Sequence, residues 1–171
     1  MRGRVLLVGT DMGARGDDAI VEGLTQLAAR STSCLHVVHV VEPGKHVEIP
    51  GAPKLTQEEQ ALADGPHALR RRIQYDAALN GVPYAAARVQ AHVRLGQPVE
   101  ALLQASVDFE ADLLILGTHG RKGLQHLLIG SVAERLLRHA RCPVLIARPK
   151  NYHGLPKSPY PFSEPHERVH E

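Results

Sequence analysis

Tryptophan is absent from this 171-residue chain, and only two Phe and four Tyr are present. Single-stranded nucleic acid is held largely by stacking bases on aromatic rings, so that function is poorly supported. Cysteine is almost as scarce: Cys34 and Cys142 form neither a metal-type pair nor a disulfide framework. They read as small buried residues in a reducing compartment. Neither sign of charge dominates. A net charge of +2 is too small to imply a general binder of nucleic acid or membrane surfaces. Long apolar runs are missing too. The opening "MRGRVLLVGTDMGARGDD" holds only a four-residue apolar run, too short for a signal peptide, and no run reaches transmembrane length. A soluble, cytoplasmic protein is the expectation.

What is present is enough for a core. Hydrophobic residues make up 43% of the chain, which suits a single domain. "RVLLVGT" (4–10) is a short apolar run that ends in turn chemistry, and it reads as a strand. Asp17 or Asp18 can cap a helix on which Ile20, Val21, Leu24, Leu27 and Ala28 share a face. "LHVVHVV" (35–41) is a second strand, followed by a loop rich in Pro and Gly. A helical region runs from about Leu55 to Asn80, with Gly65-Pro66 expected to break it. "RVQAHVRL" (88–95) alternates strictly, with Arg88, Gln90, His92 and Arg94 on one face. A wet face of that kind suggests an edge strand, and its arginines are expected to keep the edge in water.

Further along, "PVEALLQASVDF" (98–109) reads as a helix and "ADLLILG" (111–117) as a central strand, apolar on both faces. A helix from Ser131 to about Ala140 turns Val132, Leu136 and Leu137 inward, and "CPVLIARP" (142–149) is a fifth strand, with Cys142 buried at its entry. Alternating strands and helices argue for an α/β fold with a parallel sheet and helices on both faces. The folded domain is expected over 1–149. Residues 150–171 contain four prolines, no apolar periodicity and no net charge, and read as an extended or disordered tail.

The stretch "GTHGRKGLQHLLIGS" (117–131) leaves the carboxyl end of the central strand. In an open parallel sheet that is the end where ligands bind. Gly117 and Gly120 leave room for a ligand against the backbone, and Gly130-Ser131 opens a helix whose free N–H groups favour an anion. Between 119 and 141, five Lys and Arg, among them Arg121, face a single acid. His119 lies inside the loop, placed either to contact phosphate or to cap the turn. A long loop with ordinary turn glycines and a Gly-Ser cap would look the same, and spacing alone leaves both readings open.

Rival motifs fit less well. "GTDMGARG" (9–16) is one residue off a dehydrogenase pattern, without the Tyr-x-x-x-Lys that such chemistry needs. No Walker-type G-x-x-x-x-G-K-[ST] occurs. The eleven histidines are scattered and read as surface or packing residues rather than as a metal site.

The segment "DLLILGTHGRKGLQHLLIGSVAERLLRHARCPVLIARP" resembles the C-terminal signature of the universal stress protein family. Its nucleotide-binding branch carries G-x-x-G, nine residues, then G-[ST]. Gly117, Gly120, Gly130 and Ser131 match every fixed position. The resemblance extends to "VLLVGTD", "LHVVHVV" and "VRLGQPVEALL", and so spans roughly 1–149. It implies a Rossmann-like, five-stranded parallel sheet ordered 3-2-1-4-5. It also implies an ATP site, with or without Mg, in a stress-response sensor or regulator rather than a dedicated enzyme. Thr10, Asp11 and Val40 would sit at the adenine and ribose, and Leu116 and Gly117 beside the sugar. His119, Gly120, Arg121, Gly130, Ser131 and Val132 would surround the phosphates. The resemblance further implies a homodimer built on Val144, Leu145 and Ile146 of strand five.

The first loop departs from the pattern: relatives often have Asp-Gly-Ser where this chain has Asp11, Met12 and Gly13. Two alternatives remain. One is an enzyme of the adenine-nucleotide hydrolase type, although "GTDMGARGDD" lacks its Ser-Gly-Gly-x-Asp-Ser loop. The other is a nucleotide-free protein-interaction module of the same fold.

Overall fold

The computed structural model describes residues 3–12, 17–43, 57–118 and 129–148. The elements follow in the order β1 (Val5–Thr10), α1 (Asp17–Ala28), β2 (Cys34–Val41), α2 (Gln57–Leu79), a 3-10 turn (Pro83–Arg88), β3 (Val89–Leu95), α3 (Pro98–Asp108), β4 (Leu113–Gly117), α4 (Ser131–His139) and β5 (Val144–Ala147). The five strands form one parallel sheet ordered β3-β2-β1-β4-β5. Residues 150–171 lie outside the described residues, and so does the expected tail.

Period-two alternation sends neighbouring strand residues into two separate cores. Leu6 and Val8 join Ile20, Leu24 and Leu27 of α1 and Leu69 and Ile73 of α2 on one face. Leu7 joins Leu102 of α3 and Leu136 of α4 on the other, together with Leu114 and Leu116. β1 and β4 are buried on both faces, as central parallel strands require. On α4 the inward residues are Ala133 and Leu136, whereas Leu137, expected inside, is 43% exposed. Cys142 is half-buried rather than buried.

Three expectations along α2 and β3 need correction. First, Gly65-Pro66 does not break the helix. α2 runs unbroken from Gln57 to Leu79 with Pro66 inside it. The residue before a proline avoids helical angles largely because its Cβ clashes with the ring, and Gly65 has no Cβ. Gly65 also meets the sheet: a Cβ there would lie 2.9 Å from Val93 Cγ2. The pair marks the closest approach of α2 to β3, and burial of Leu69, Ile73 and Ala77 holds the helix together across the missing hydrogen bond.

Second, the polar face of β3 is not simply wet. β3 is the sheet edge as expected, but Phe109, just past α3, lies over His36 and His92. Third, the two arginines serve inward contacts. Arg94 pairs with Asp108 at 2.7 Å. Arg88 donates to the carbonyls of Leu27, Arg30, Ser31 and Ser33.

Candidate functional site

α1 and α2 cover one face of the sheet and α3 and α4 the other, and the strand order reverses between β1 and β4. The chain therefore leaves these two strands for helices on opposite faces of the sheet, the place where open parallel sheets hold ligands. Gly9 pairs with Leu116 in the register, so Thr10 is level with Gly117 at that edge. Thr10 also pairs with His39, one residue before Val40. Thr10, Asp11, Val40, Leu116 and Gly117 are thus brought to one rim from three strands.

α4 begins beside the end of β4. The N–H of Gly130 donates to the carbonyl of Thr118 at 2.8 Å, so the start of the helix is pinned to the end of β4 across the intervening loop. Thr118 is itself buried. Gly130 is the N-cap residue of α4 and, as glycine, brings no side chain of its own to cap it. The first N–H groups of a helix have no partner within it, and with the positive end of the helix dipole they form a site suited to an anion. Ser131 is exposed in the first turn, whereas Val132 packs partly into the core. His119, Gly120 and Arg121, expected at the phosphates, lie outside the described residues.

The side chain of Leu116 is 4% exposed, within the core shared by α3 and α4. What Leu116 offers at the rim is therefore backbone. Gly9 supports the same geometry from below. A Cβ at that position would come within 2.9 Å of Leu102 Cδ1 and Leu116 Cδ2, so a larger residue there would have to displace these leucine methyls just under the rim.

Two residues that sequence reasoning did not assign shape the end of β1. His39 donates from Nδ1 to the carbonyl of Thr10 at 2.9 Å, which puts the proton of that ring on Nδ1. Met12 has a φ of 56°, the left-handed conformation that favours glycine. Its N–H donates to Thr10 Oγ1 at 3.1 Å, a local side-chain turn that holds it there. The backbone thus keeps the turn that a glycine after Asp11 would make, at a cost of about 1 kcal/mol for a residue with a Cβ. The signal for His39 was visible as one of two histidines in an otherwise apolar strand run; nothing local pointed to its bond.

Charge around the rim is mixed. Asp18 lies in the first turn of α1, and burial pushes its carboxyl above the usual carboxylate range. On α4, Arg135 pairs with Glu100 and Arg138 with Glu134. No group of three or more His, Cys, Asp or Glu gathers to hold a metal ion among the described residues. No helix among them is long and apolar enough to cross a membrane.

The family model described as the universal stress protein family matches residues 3–148. This chain belongs to that family. A universal stress protein of Methanocaldococcus jannaschii is 26% identical over 114 residues, covering 67% of this chain and 64% of that protein. The chain thus spans slightly less than two thirds of that relative's length. Universal stress protein UspA from Lactobacillus plantarum superposes with a TM-score of 0.67 at 22% identity, over 86% of this chain and 99% of that one. A universal stress protein solved in complex with cAMP gives a TM-score of 0.60 at 24% identity, over 86% and 98% of the two chains. One from Archaeoglobus fulgidus in complex with dAMP gives 0.56 at 16% identity, over 86% and 100%. At these identities the solved structures establish the fold. The universal stress protein described here has the same five-stranded sheet and the same switch point between its two central strands.

Proposed function

We propose that this universal stress protein binds an adenine nucleotide, ATP with or without Mg, at the carboxyl rim of its sheet, and acts as a sensor or regulator in the stress response. The observation that carries the reading is the glycine-led start of α4, tied to the end of β4 beside the point where the strand order reverses. The N–H groups of Ser131 and Val132 would meet phosphate there. Gly130 keeps their approach open, and the loop residues His119, Gly120 and Arg121 would complete the cradle. Thr10, Asp11 and Val40 supply the adenine and ribose side, with the backbone of Leu116 and Gly117 between. The complexes of two structural neighbours with cAMP and dAMP support adenine as the base.

The test is mass spectrometry of nucleotide released from the purified, denatured chain, followed by calorimetric titration with ATP. Bound ATP at about one per chain is expected. A chain that releases no nucleotide and gives no heat with ATP would be a protein-interaction module instead. Multiple-turnover hydrolysis would point to an enzyme of the hydrolase type.

We also propose a homodimer through β5. Among the described residues this strand is outermost and pairs only with β4, so one side of its backbone has no strand partner among them. Val144, Leu145 and Ile146 are only half-buried, on alternate faces of that edge. A second β5 laid antiparallel across a two-fold axis would cover them. Leu145→Pro removes a ladder donor and is expected to give monomer or insoluble protein. Light scattering should report twice the 18.6 kDa chain mass for the wild type at micromolar concentration. A wild-type mass equal to one chain would exclude the arrangement.

A further inference from the structure

Three aromatic rings from distant parts of the chain meet at the β3 edge. His36 of β2 and His92 of β3 stack with centroids 5.2 Å apart; Phe109 stacks on His36 at 4.1 Å and meets His92 at 4.7 Å with its ring tilted by 35°. Phe109 is the C-cap of α3, the last residue before the chain turns toward β4. Nδ1 of His36 and Nε2 of His92 lie 3.0 Å apart in a direct hydrogen bond. One ring therefore donates and the other accepts.

That bond restricts how many protons the pair can hold. With one added proton an imidazolium still donates to a neutral ring. With two, a pair of N–H groups face one another at 3.0 Å and the bond cannot exist. Among the described residues, the contacts of the two rings include no carboxylate. On β1, Leu7 pairs with His36 in the register, and Leu7 is fully buried. From β3 the charged neighbour is Arg94, whose guanidinium sits 5.2 Å from the Phe109 ring centre. From α3 it is Asp108, already bonded to Arg94 and to Gln104.

We propose that His36, His92 and Phe109 form an acid-sensitive latch that releases the end of α3 from the sheet edge when both rings are protonated. Burial lowers the pKa of His36, and burial, His36 and Arg94 together lower that of His92, each from the ordinary 6.5. The sign follows from the direction. A lowered pKa means the closed latch binds fewer protons than the open one, so its stability is complete above about pH 6.5 and is lost as the pH falls below it. Asp108 behaves oppositely. Its hydrogen bonds from Gln104 and Arg94 hold its carboxyl below the usual range, so the tie to Arg94 survives where the histidines charge. Opening is therefore confined to Phe109 and the last turn of α3, with Arg94–Asp108 as the tether.

The experiment is amide hydrogen exchange of the full chain over residues 104–111 between pH 7.5 and 5.0, corrected for the intrinsic exchange rate. In the wild type the opening constant is expected to rise about tenfold per pH unit at the acid end, the signature of one proton taken up. In His92→Gln the amide oxygen can accept from His36 whether or not that ring is charged, and the rise is expected to stay below about threefold. A flat wild-type profile, or an equal slope in the variant, overturns the proposal. Ring titration of His36 and His92 by NMR on the wild type needs no variant. Two midpoints below the 6.5 of an unperturbed imidazole support the latch, and two midpoints at or above it sink it.

Discussion

Gly130→Val is expected to weaken ATP binding by at least about 100-fold, or roughly 2.7 kcal/mol, while the domain stays folded. Gly130 has φ −67° and ψ 152°, extended angles that any residue adopts, so the substitution does not strain the backbone. What glycine provides is access. Two methyl groups at this position would stand over the first N–H groups of α4, where phosphate must approach if the dipole is to act on it. Valine is a poorer N-cap than glycine, at a cost of about 1 kcal/mol or less. Tm should therefore fall by only about 2–4 °C. Titration calorimetry and a thermal scan on the same preparations separate the two effects. Equal ATP affinity in wild type and variant would remove the helix start from the site.

Arg88→Ala is expected to have the larger effect on stability, a loss of about 2–3 kcal/mol and a fall in Tm of about 5–10 °C. Its Nη1 donates to Arg30 O at 2.7 Å, Ser33 O at 2.9 Å and Ser31 O at 3.2 Å, and its Nη2 to Leu27 O at 2.9 Å. These carbonyls belong to the end of α1 and the turn that feeds β2. The last carbonyls of a helix lack partners within it and carry the negative end of the dipole. One guanidinium bonds one of them, that of Leu27, together with three carbonyls of the following turn, and supplies the opposite charge. Ser33 is 3% exposed, so water is poorly placed to substitute there. Arg88→Lys keeps the charge without the planar fork, and should recover less than half of the loss. A fall in Tm below about 2 °C for the alanine variant would show that these carbonyls do not depend on the arginine.

The strands were legible because alternation and flanking glycines are local signals. Those read at 4–10, 35–41, 88–95 and 111–117 appear within one or two residues of their expected bounds. The fifth is shorter than expected, Val144–Ala147. The strand order was implied by the family resemblance of "GTHGRKGLQHLLIGS" and its flanks, and the sheet has that order. Of the candidate site, the glycine loop and Gly130-Ser131 stood out in the sequence, but spacing alone left a plain turn equally open, and the strand-end residues were named only through the family resemblance. The roles of His39 and Met12 could not. One depends on a bond between neighbouring strands, and the other on a backbone angle that methionine does not advertise.

Local pattern by itself determined which segments of this protein become strands and most of its helices, because those features depend on residues within a turn or two of one another. Tertiary packing alone decided the rest. Pro66 stays inside α2 because burial against β3 outweighs one missing hydrogen bond. Arg88 turns from an expected edge charge into a cap because it comes beside carbonyls 55 to 61 positions earlier. His36 and His92, 56 positions apart, read singly as surface or packing histidines. They share a proton under Phe109 only because β2 pairs with β3 and α3 folds back across both, and no window of sequence contains all three rings.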